Sequence, residues 1–398
     1  MVPERLDDHK AGPMRYDVVI VGAGPAGAVL AYLLAKAGAE VLLVEKKVFP
    51  RYKACGGGLT KRALDFLPFE VDEVIEERVH TVKVFIESEC AFELHAQQPV
   101  ISMVMRDRFD HFLAKKAQEA GVDFQQGVAF KALRGKAEAL KVETTSGPVN
   151  ARFVVGADGA GSRVAQALGL PKPDTLMNAL EAEVYLGDPE RLGEFKHSAR
   201  FCFGLIPQGY AWVFPKRDHL SIGVLSRSMS MKKLKTQLFS YLEAGGFGSS
   251  MAVKALRPHL VPYGPGKKRS LACERGLLVG DATGYVDPIT GEGISYAIRG
   301  SVVASKILQR AMTEGCRKLQ DYTRVVGEEI AKDLACARTF AGILYGFSSL
   351  SSRVIKAHGA RLAELHMEVI CGRMTYRDLY RKMLHFNRVV RILLALSK

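Results

Sequence analysis

Cysteine is scarce and scattered in this sequence of 398 residues. The seven cysteines form no Cys-x-x-Cys pair and show no spacing typical of metal ligands. An odd, dispersed set of thiols argues against a disulfide framework or an iron–sulfur cluster and is typical of a reducing compartment. We therefore expect a cytoplasmic protein without a metal site.

The sequence also lacks a long uninterrupted apolar run. Residues 18–35 carry no charge, but three glycines and a proline fall within them, so a strand, a turn and a helix are favoured over one membrane-spanning helix. Residues 1–14 are polar and lack the apolar core of a signal peptide, which predicts a flexible extension.

Acidic residues are too few to balance the basic ones, and the formal net charge is +14. Residues 351–398 supply half of this excess, with ten basic residues against three acidic ones. Leucine, valine and isoleucine interleave with the arginines in "HFNRVVRILLALSK" (385–398), which favours an amphipathic helix at a membrane surface over a nucleic-acid site. A solvated helix face is the alternative. We expect no nucleic acid and peripheral contact with the inner face of the membrane.

A βαβ unit opens the ordered part of the chain. An apolar run at residues 16–21 is followed by Gly22-x-Gly24-x-x-Gly27, an Ala/Leu-rich helix and a second apolar strand that ends at Glu45. The first glycine permits a tight turn, the second lets a pyrophosphate approach the backbone, and the third allows close helix–strand packing. Glu45 is placed to accept hydrogen bonds from ribose hydroxyls. The unit predicts a bound dinucleotide.

The period of the hydrophobic pattern changes along the rest of the chain. Residues 80–96 predict a hairpin, residues 106–121 an amphipathic helix, residues 175–265 a strand-rich region, and residues 293–398 mainly helices. This order predicts an α/β protein, α+β overall, in which a Rossmann-like domain of discontinuous segments is interrupted by an antiparallel sheet. The predicted segments are 15–65, 100–172 and 266–325 for the nucleotide-binding domain, 66–99 and 173–265 for the antiparallel substrate-binding domain, and 326–398 for a basic helical region.

Two further corners resemble those of the flavin-dependent hydroxylase and reductase superfamily. "VVGADGAGSRV" (154–164) places Asp158 after a buried strand, and "ERGLLVGDATGYVDPITGEGISYAIRGS" (274–301) places Gly280-Asp281 after another. The resemblance implies a single extended FAD whose ribityl chain is hydrogen-bonded by an aspartate. A helix that starts near Gly293 would point its positive end at the flavin and stabilise the anionic reduced form.

Four more segments resemble the geranylgeranyl reductase family over nearly the whole chain from Tyr16. They are "RYKACGGGLT" (51–60), Arg106 ahead of "FDHFLAKKA", "PQGYAWVFP" (207–215) and "CGRMTYRDLY" (371–380). The family uses FAD to reduce isolated carbon–carbon double bonds in the prenyl chains of lipids, pigments or quinones. Three glycines stand at 56–58 where the family often has two.

The residues of these segments favour the same chemistry. Tyr210, Trp212 and Phe214 alternate, so their rings share one face of a strand and form a slot for an elongated apolar substrate, or an ordinary aromatic core. Consecutive glycines let the backbone approach the flavin and leave Cys55 as the one contacting side chain. For Cys55 we favour packing or positioning over proton donation. Arg106 lies near the cofactor phosphates or ribityl chain, or on the surface, where Arg108 is expected.

The predicted site has three sets of residues. The cofactor-binding residues are Gly22, Gly24, Pro25, Ala26, Gly27, Glu45, Lys46, Cys55, Gly56, Gly57, Arg106, Asp158, Gly280, Asp281, Gly291, Gly293 and Ile294. The substrate-binding residues are Gly58, Tyr210, Trp212, Phe214 and Pro288. The catalytic residues are Cys55, Tyr210 and Trp212.

The predicted activity is FAD-dependent reduction of double bonds in geranylgeranyl or other polyprenyl chains, by hydride transfer from the reduced flavin N5 and addition of a proton. The sequence has no second nucleotide-binding motif, so the external electron donor is NADPH or NADH bound transiently, or reduced ferredoxin. An aromatic or quinone monooxygenase of the same superfamily is the alternative enzyme. A redox-inactive flavoprotein that acts as a membrane-bound partner or sensor is the alternative outside catalysis.

Overall fold

The computed structural model describes residues 16–135, 140–247, 250–314, 319–346 and 348–384. Its strands, numbered in chain order, are β1 (Tyr16–Val21), β2 (Val41–Glu45), β3 (Gly58–Thr60), β4 (Ile75–Val79), β5 (Thr81–Ile86), β6 (Glu89–His95), β7 (Ile101–Val104), β8 (Asp123–Gln126), β9 (Phe130–Arg134), β10 (Leu140–Thr144), β11 (Gly147–Gly156), β12 (Leu176–Tyr185), β13 (Ser198–Phe203), β14 (Gly209–Pro215), β15 (Leu220–Ser226), β16 (Ala252–Pro262) and β17 (Gly276–Leu278).

The α-helices are numbered in the same way. They are α1 (Pro25–Lys36), α2 (Lys61–Asp65), α3 (Arg106–Glu119), α4 (Arg163–Ala167), α5 (Pro189–Gly193), α6 (Met231–Ala244), α7 (Ile294–Thr313), α8 (Gln320–Val326), α9 (Lys332–Gly346), α10 (Ser348–Ile370) and α11 (Tyr376–Leu384).

The first sheet has the order β8-β2-β1-β11-β10-β9, with β17 beside β11. Strands β8, β2, β1, β11 and β17 are parallel, as the predicted βαβ unit requires. Strand β10 pairs antiparallel with both of its neighbours, β11 and β9. β2 is buried along its whole length and β1 along almost all of it, because helices including α1 and α7 cover one face and a second apolar cluster covers the other. The carboxyl ends of β1 and β2 therefore meet at one edge, beside the glycine turn.

The second sheet has the order β16-β12-β15-β14-β13-β5-β6 and is antiparallel except where β13 pairs with β5. One face packs against α6, which buries Leu234, Leu238 and Leu242. We call the opposite face, which carries Tyr210, Trp212 and Phe214, the aromatic face. The mixed architecture predicted from the sequence is confirmed, whereas α6 lies in a region predicted only as strand-rich.

A third, smaller sheet joins β3, β7 and β4. It anchors the end of the glycine-rich segment, since Gly58 pairs with Met103. β4 comes from the predicted substrate-binding segment and pairs with β7 from the predicted nucleotide-binding segment, so the two are joined through this sheet. The domain boundaries stay a prediction.

Helices α8 to α11 close the described part of the chain, with α11 packed on the main core through Tyr376, Leu379 and Met383. The predicted extension at residues 1–14 and the segment 385–398 lie outside the described residues. Within the described ranges, no helix combines the length and the apolar character needed to span a bilayer.

Candidate active site

The three glycines of the first turn differ in their surroundings. Gly22 has φ +105°, and a Cβ there would overlap the carbonyl oxygen of Ala157. A Cβ on Gly27 would overlap the carbonyl oxygen of Gly22. Gly24, in contrast, has no atom within 4 Å of a built Cβ. The chain itself therefore requires the first and third glycines, while the second borders open space at the start of α1.

The N-terminus of α1 faces that open space. Gly24 is the N-cap, Pro25 opens the helix, and no acidic residue lies in the first turn. The free N–H groups at such a helix end, together with the helix dipole, favour an anion. Ala26 packs against Gly280, where an added Cβ would lie 2.9 Å from the Ala26 side chain. The glycine turn thus lies beside the Gly280-Asp281 segment that is predicted to bind the flavin part of the cofactor.

Glu45 ends β2 at the edge of the same turn. Its buried carboxylate accepts hydrogen bonds from the backbone N–H groups of Ala23 and Lys47, each at 3.1 Å, and Arg51 lies 3.5 Å away. This position, beside the helix N-terminus, is the one expected for a ribose-binding carboxylate. The neighbouring predicted residue, Lys46, is exposed.

The two predicted aspartates differ in what they contact. Asp158 caps α4, since its carboxylate accepts from the N–H groups of Arg163 at 2.7 Å and Val164 at 3.2 Å. Asp281 instead lies 4.0 Å from the Lys53 amine and close to Gly293, the N-cap of α7. Asp281 is therefore the better placed of the two to contact a ligand at the α7 N-terminus.

Residues 51–58, which we call the glycine loop, rest on a buried ion-pair network. Arg106 donates two hydrogen bonds to Asp110, at 2.8 and 2.9 Å, and Arg51 lies 3.0 Å from the same carboxylate. Arg106 is buried rather than on the surface; burial alone would lower the arginine pKa, but the Asp110 carboxylate outweighs burial and raises it. Arg108 is exposed and pairs with Glu76, as its predicted surface position implies.

The glycines of this loop lie directly on the aromatic face. A Cβ on Gly56 would lie 2.8 Å from the Phe214 ring and 3.0 Å from the Trp212 Nε1 atom. Gly57 has φ +66°, and its Cβ would overlap the carbonyl oxygen of Val104. A Cβ on Gly58 would be 3.1 Å from Ile101. Glycine is therefore required at these positions because the loop backbone packs closely against the protein on the side of the aromatic face and β7.

The aromatic face forms a continuous row of rings. The ring centroids of Tyr210 and Trp212 are 6.0 Å apart, and those of Trp212 and Phe214 are 6.3 Å apart. The Trp212 ring covers Gly223 so closely that an added Cβ there would overlap the indole. All three rings are buried. Their predicted shared face is confirmed.

Residues 287–291 connect the aromatic face to the N-terminus of α7, and three tyrosine hydroxyls hold this segment. Tyr210 donates to the carbonyl of Thr290, Tyr345 donates to the carbonyl of Ile289 at 2.5 Å, and Tyr376 donates to Asp287 at 2.5 Å. Gly291 has φ +68°, and a Cβ built there would lie 3.2 Å from the Leu225 side chain on the aromatic face. Pro288 packs on Gly264, and Ile294 is buried. The predicted site residues Pro288, Gly291 and Ile294 thus lie together between the aromatic face and the N-terminus of α7.

Sequence analysis missed a buried amine behind the glycine loop. Lys216 is 1% exposed, and its Nζ donates to the carbonyls of Gly56 at 2.7 Å and Val104 at 2.9 Å. Burial lowers the pKa of this amine. A signal was present, since Lys216 continues the alternation of Tyr210, Trp212 and Phe214 by two residues. The amine fixes the backbone of the glycine loop against the sheet.

His259 on β16 is a second missed residue. It pairs with Ala179 on β12, and burial together with the positive charges of Lys53 and Arg106 lowers its pKa to about 4. A neutral imidazole therefore lies near Asp281 and Lys53. Nothing in its local sequence indicates this position, because only the pairing of β16 with β12 brings it to the site.

The residues at the site fit an extended dinucleotide. The space beside Gly24, the N-termini of α1 and α7 and the carboxylate of Glu45 lie at the carboxyl ends of β1 and β2, where such ligands bind in open α/β sheets. Among the described residues, no group of three or more His, Cys, Asp or Glu side chains is placed to hold a metal ion.

Known proteins are similar to this chain over most of its length. Residues 15–208 match the family model of an FAD binding domain. The chain is 32% identical to digeranylgeranylglycerophospholipid reductase 1 of Methanopyrus kandleri over 83% of this chain and 91% of that protein. It is 29% identical to the chloroplastic geranylgeranyl diphosphate reductase of Nicotiana tabacum over 80% of this chain and 72% of that protein.

A solved structure has the same fold. The geranylgeranyl bacteriochlorophyll reductase-like protein of Thermoplasma acidophilum superposes with a TM-score of 0.78 and covers 97% of this chain and 100% of its own. At 22% identity this similarity concerns the fold alone.

Proposed function

The chain belongs to the geranylgeranyl reductase family of FAD-dependent oxidoreductases, and from this premise we propose that it reduces carbon–carbon double bonds in geranylgeranyl or other polyprenyl chains of lipids or quinones. The observation that carries the proposal is the aromatic face, whose buried rings lie directly against the glycine loop. An apolar, elongated chain is the ligand that such a row of rings suits.

The residues of the site divide the work as follows. Gly24, Glu45 and the N-terminus of α1 hold the adenosine diphosphate part of FAD, and Asp281 with the N-terminus of α7 holds the flavin part. When bound, reduced FAD supplies a hydride equivalent from its N5 atom. Gly56, Gly57 and Gly58 would present backbone to the flavin ring, and we assign the neighbouring Cys55 to packing and positioning.

The aromatic face serves the difficult part of the reaction. An isolated alkene has no carbonyl to withdraw charge, so positive charge develops on carbon as the double bond is attacked. The faces of Tyr210, Trp212 and Phe214 would tolerate that charge, exclude water and orient the prenyl chain for the reaction. Gly58 and Pro288 complete this slot.

We further propose that electrons come from NADPH, NADH or reduced ferredoxin, and that the basic C-terminal region contacts the inner face of the membrane, where prenyl lipids reside. Transient binding of a nicotinamide needs no second nucleotide-binding domain. A monooxygenase of the same superfamily remains the alternative that the test must separate.

The test uses chemically reduced protein without oxygen. Geranylgeranyl lipids and a polyprenyl quinone are added in separate reactions, and flavin reoxidation is followed by absorbance. Products are then exposed to air, so that any quinol returns to quinone and only a saturated double bond keeps a mass gain of about two units. A monooxygenase stops without oxygen, and a protein whose flavin is reoxidised by neither class is not a prenyl reductase.

A further inference from the structure

A cluster of buried ionisable side chains lies on the aromatic face, beside the rings. Glu181 and Glu183 project from β12, Lys216 follows β14, and His219 precedes β15; each is at most 5% exposed. Carboxylates this well buried are uncommon, and they require partners or a function. The activity as proposed so far uses none of them.

Two polar atoms of this region have no hydrogen-bond partner among the described residues. They are the Oε2 atom of Glu181, which is 2% exposed, and the Nε1 atom of Trp212, which is 7% exposed. Both residues pair with Gly223, Glu181 from β12 and Trp212 from β14, so the two side chains leave the same face on either side of one glycine. The Trp212 ring covers Gly223, so an unpartnered donor and an unpartnered acceptor belong to neighbouring side chains on the same face of the sheet.

The other oxygen of Glu181 is held in place. Ser221 donates its hydroxyl to Glu181 Oε1 at 2.6 Å, and the backbone N–H of Cys55 faces the same carboxyl group. The side chain is thus oriented by β15 and by the glycine loop. Its free oxygen is left for something that enters the slot.

A line of hydrogen bonds connects the neighbouring carboxylate to solvent. Asp218, whose side chain is 70% exposed, lies 2.7 Å from His219 Nδ1, and His219 Nε2 lies 3.0 Å from Glu183. Glu183 also accepts from the Tyr52 hydroxyl at 3.0 Å. Both imidazole nitrogens face carboxylates, which raises the His219 pKa and favours the charged, doubly protonated ring.

Titratable or hydrogen-bonding groups face Glu181 from β12, β15, the residue after β14 and the glycine loop. Burial and the charge of Glu183 raise the pKa of Glu181 to about 7, while the hydrogen bond from Ser221 and the charge of Lys216, which follows β14, oppose the rise. Tyr52 and Cys55 face it from the glycine loop, and Arg257 is its pairing partner on β16. A general acid is most effective when its pKa lies near the working pH.

We propose that Glu181 holds the proton that completes reduction of the prenyl double bond, and that His219 and Glu183 return a proton to it from solvent. The inference rests on the proposed function. As the π bond of the alkene breaks, one carbon receives the hydride equivalent of the reduced flavin. The other carbon receives the proton as the O–H bond of Glu181 breaks, and a solvent proton then restores the acid.

The first experiment titrates the carboxyl group without any substrate. Trp212 is the only tryptophan of the chain, so intrinsic fluorescence of the holoprotein reports the charge on its neighbour. We expect a fluorescence transition with a midpoint near neutral pH in the wild type and its loss in Glu181→Gln. An unchanged transition in Glu181→Gln overturns the assignment.

Glu183→Gln is the matched control, since Glu183 lies two residues along the same strand and is equally buried, but has partners for both oxygens. Removing its negative charge takes away one cause of the raised Glu181 pKa, so the transition should move to lower pH and not vanish. A midpoint that stays in place contradicts the coupling between the two carboxylates.

The second experiment measures flavin reoxidation by a prenyl substrate across pH. The wild type should slow above neutral pH as Glu181 loses its proton, and Glu181→Gln should be about 10²- to 10⁴-fold slower with that pH dependence gone. Glu181→Gln with the wild-type pH dependence means a merely structural role. If the wild type itself reduces no prenyl substrate, the proposed function fails, while the fluorescence result still stands on its own.

Discussion

Gly24 differs from the other two motif glycines in what a side chain would meet. A Cβ on Gly27 overlaps the Gly22 carbonyl, so Gly27→Ala should destabilise the protein by about 1–3 kcal/mol even without flavin. A Cβ on Gly24 meets only open space, so Gly24→Ala should change stability by less than about 1 kcal/mol. Because that space is where the pyrophosphate would approach, FAD affinity should fall at least about tenfold.

Thermal unfolding of the flavin-free variants and titration with FAD measure the two effects separately. Gly161→Ala is the control, since Gly161 lies in a neighbouring loop and a Cβ there also meets nothing within 4 Å. It should change neither quantity. Normal FAD affinity in Gly24→Ala would show that the open space is not the pyrophosphate site.

The raised pKa of Glu181 also predicts how the free energy of unfolding depends on pH. Its folded pKa lies above the ordinary value of 4.5, so the folded protein binds this proton more tightly than the unfolded chain does. The stabilisation is fully present below pH 4.5 and is lost as the pH rises through the folded pKa, on the order of 3 kcal/mol in all. Between pH 5 and pH 8 the wild type should therefore lose unfolding free energy relative to Glu181→Gln. Parallel denaturation profiles of the two proteins would contradict a buried, neutral carboxyl group.

At the scale of elements, strand β15 sets the position of the tryptophan on β14. Gly223→Ala would force the Trp212 ring off the sheet, because the added Cβ would overlap the indole. We expect a shifted fluorescence maximum and at least tenfold slower prenyl reduction, since small displacements in an oriented site are costly. FAD affinity should stay unchanged.

Ile222→Val on the same strand is the control for Gly223→Ala. Ile222 faces α6 rather than the slot, so this variant should cost about 0.5–1.5 kcal/mol of stability and leave the fluorescence maximum in place. Equal effects of both variants on turnover would mean that β15 acts through general stability and not through Trp212.

The last helix, α11, reaches the flavin end of the site through one hydroxyl. Tyr376 donates a hydrogen bond to the buried Asp287, and His366 Nε2 lies 2.8 Å from the same hydroxyl. Because the phenol O–H already points to the carboxylate, the imidazole N–H is the donor to the phenol oxygen. Tyr376→Phe should lower the free energy of unfolding by about 2 kcal/mol, because it removes two buried hydrogen bonds of about 1 kcal/mol each.

Tyr345→Phe provides the comparison, because Tyr345 donates to the neutral carbonyl of Ile289 in the same segment. Its loss should cost about 1 kcal/mol. Chemical denaturation and FAD titration measure both variants. A larger loss in Tyr345→Phe than in Tyr376→Phe would contradict the stabilising role given to the two hydrogen bonds of Tyr376.

Period and turn residues predicted much of this element pattern, and the reasons for success and failure are physical. The βαβ unit, the hairpin of β5 and β6 and helix α3 depend on local periodicity, which a sequence displays directly. Glu181 and His259 were missed because their neighbours come from other strands and from the glycine loop. Lys216 follows the visible alternation of β14, yet a lysine is normally assigned to solvent.

At the scale of the whole molecule, the excess of basic residues in the C-terminal region is the reason for the proposed membrane contact. Tyr376, Leu379 and Met383 of α11 are buried in the core, so these apolar side chains are not available to a membrane surface. Residues 385–398 follow the described helix and carry further apolar residues interleaved with basic ones. We place the proposed contact in these fourteen residues.

Truncation after Leu384 tests that assignment. The removed residues include Arg388, Arg391 and Lys398, and each basic residue near an anionic surface contributes about 1 kcal/mol. Loss of the three should weaken binding to anionic vesicles by about 3 kcal/mol, roughly 100-fold, before the leucines are counted. Vesicle co-sedimentation at low and high salt measures this, with neutral vesicles as the control. Because every residue assigned to the FAD site and the prenyl slot precedes Leu384 in the chain, the truncated protein should still reduce a detergent-solubilised substrate. Unchanged vesicle binding would place the membrane contact outside the C-terminus.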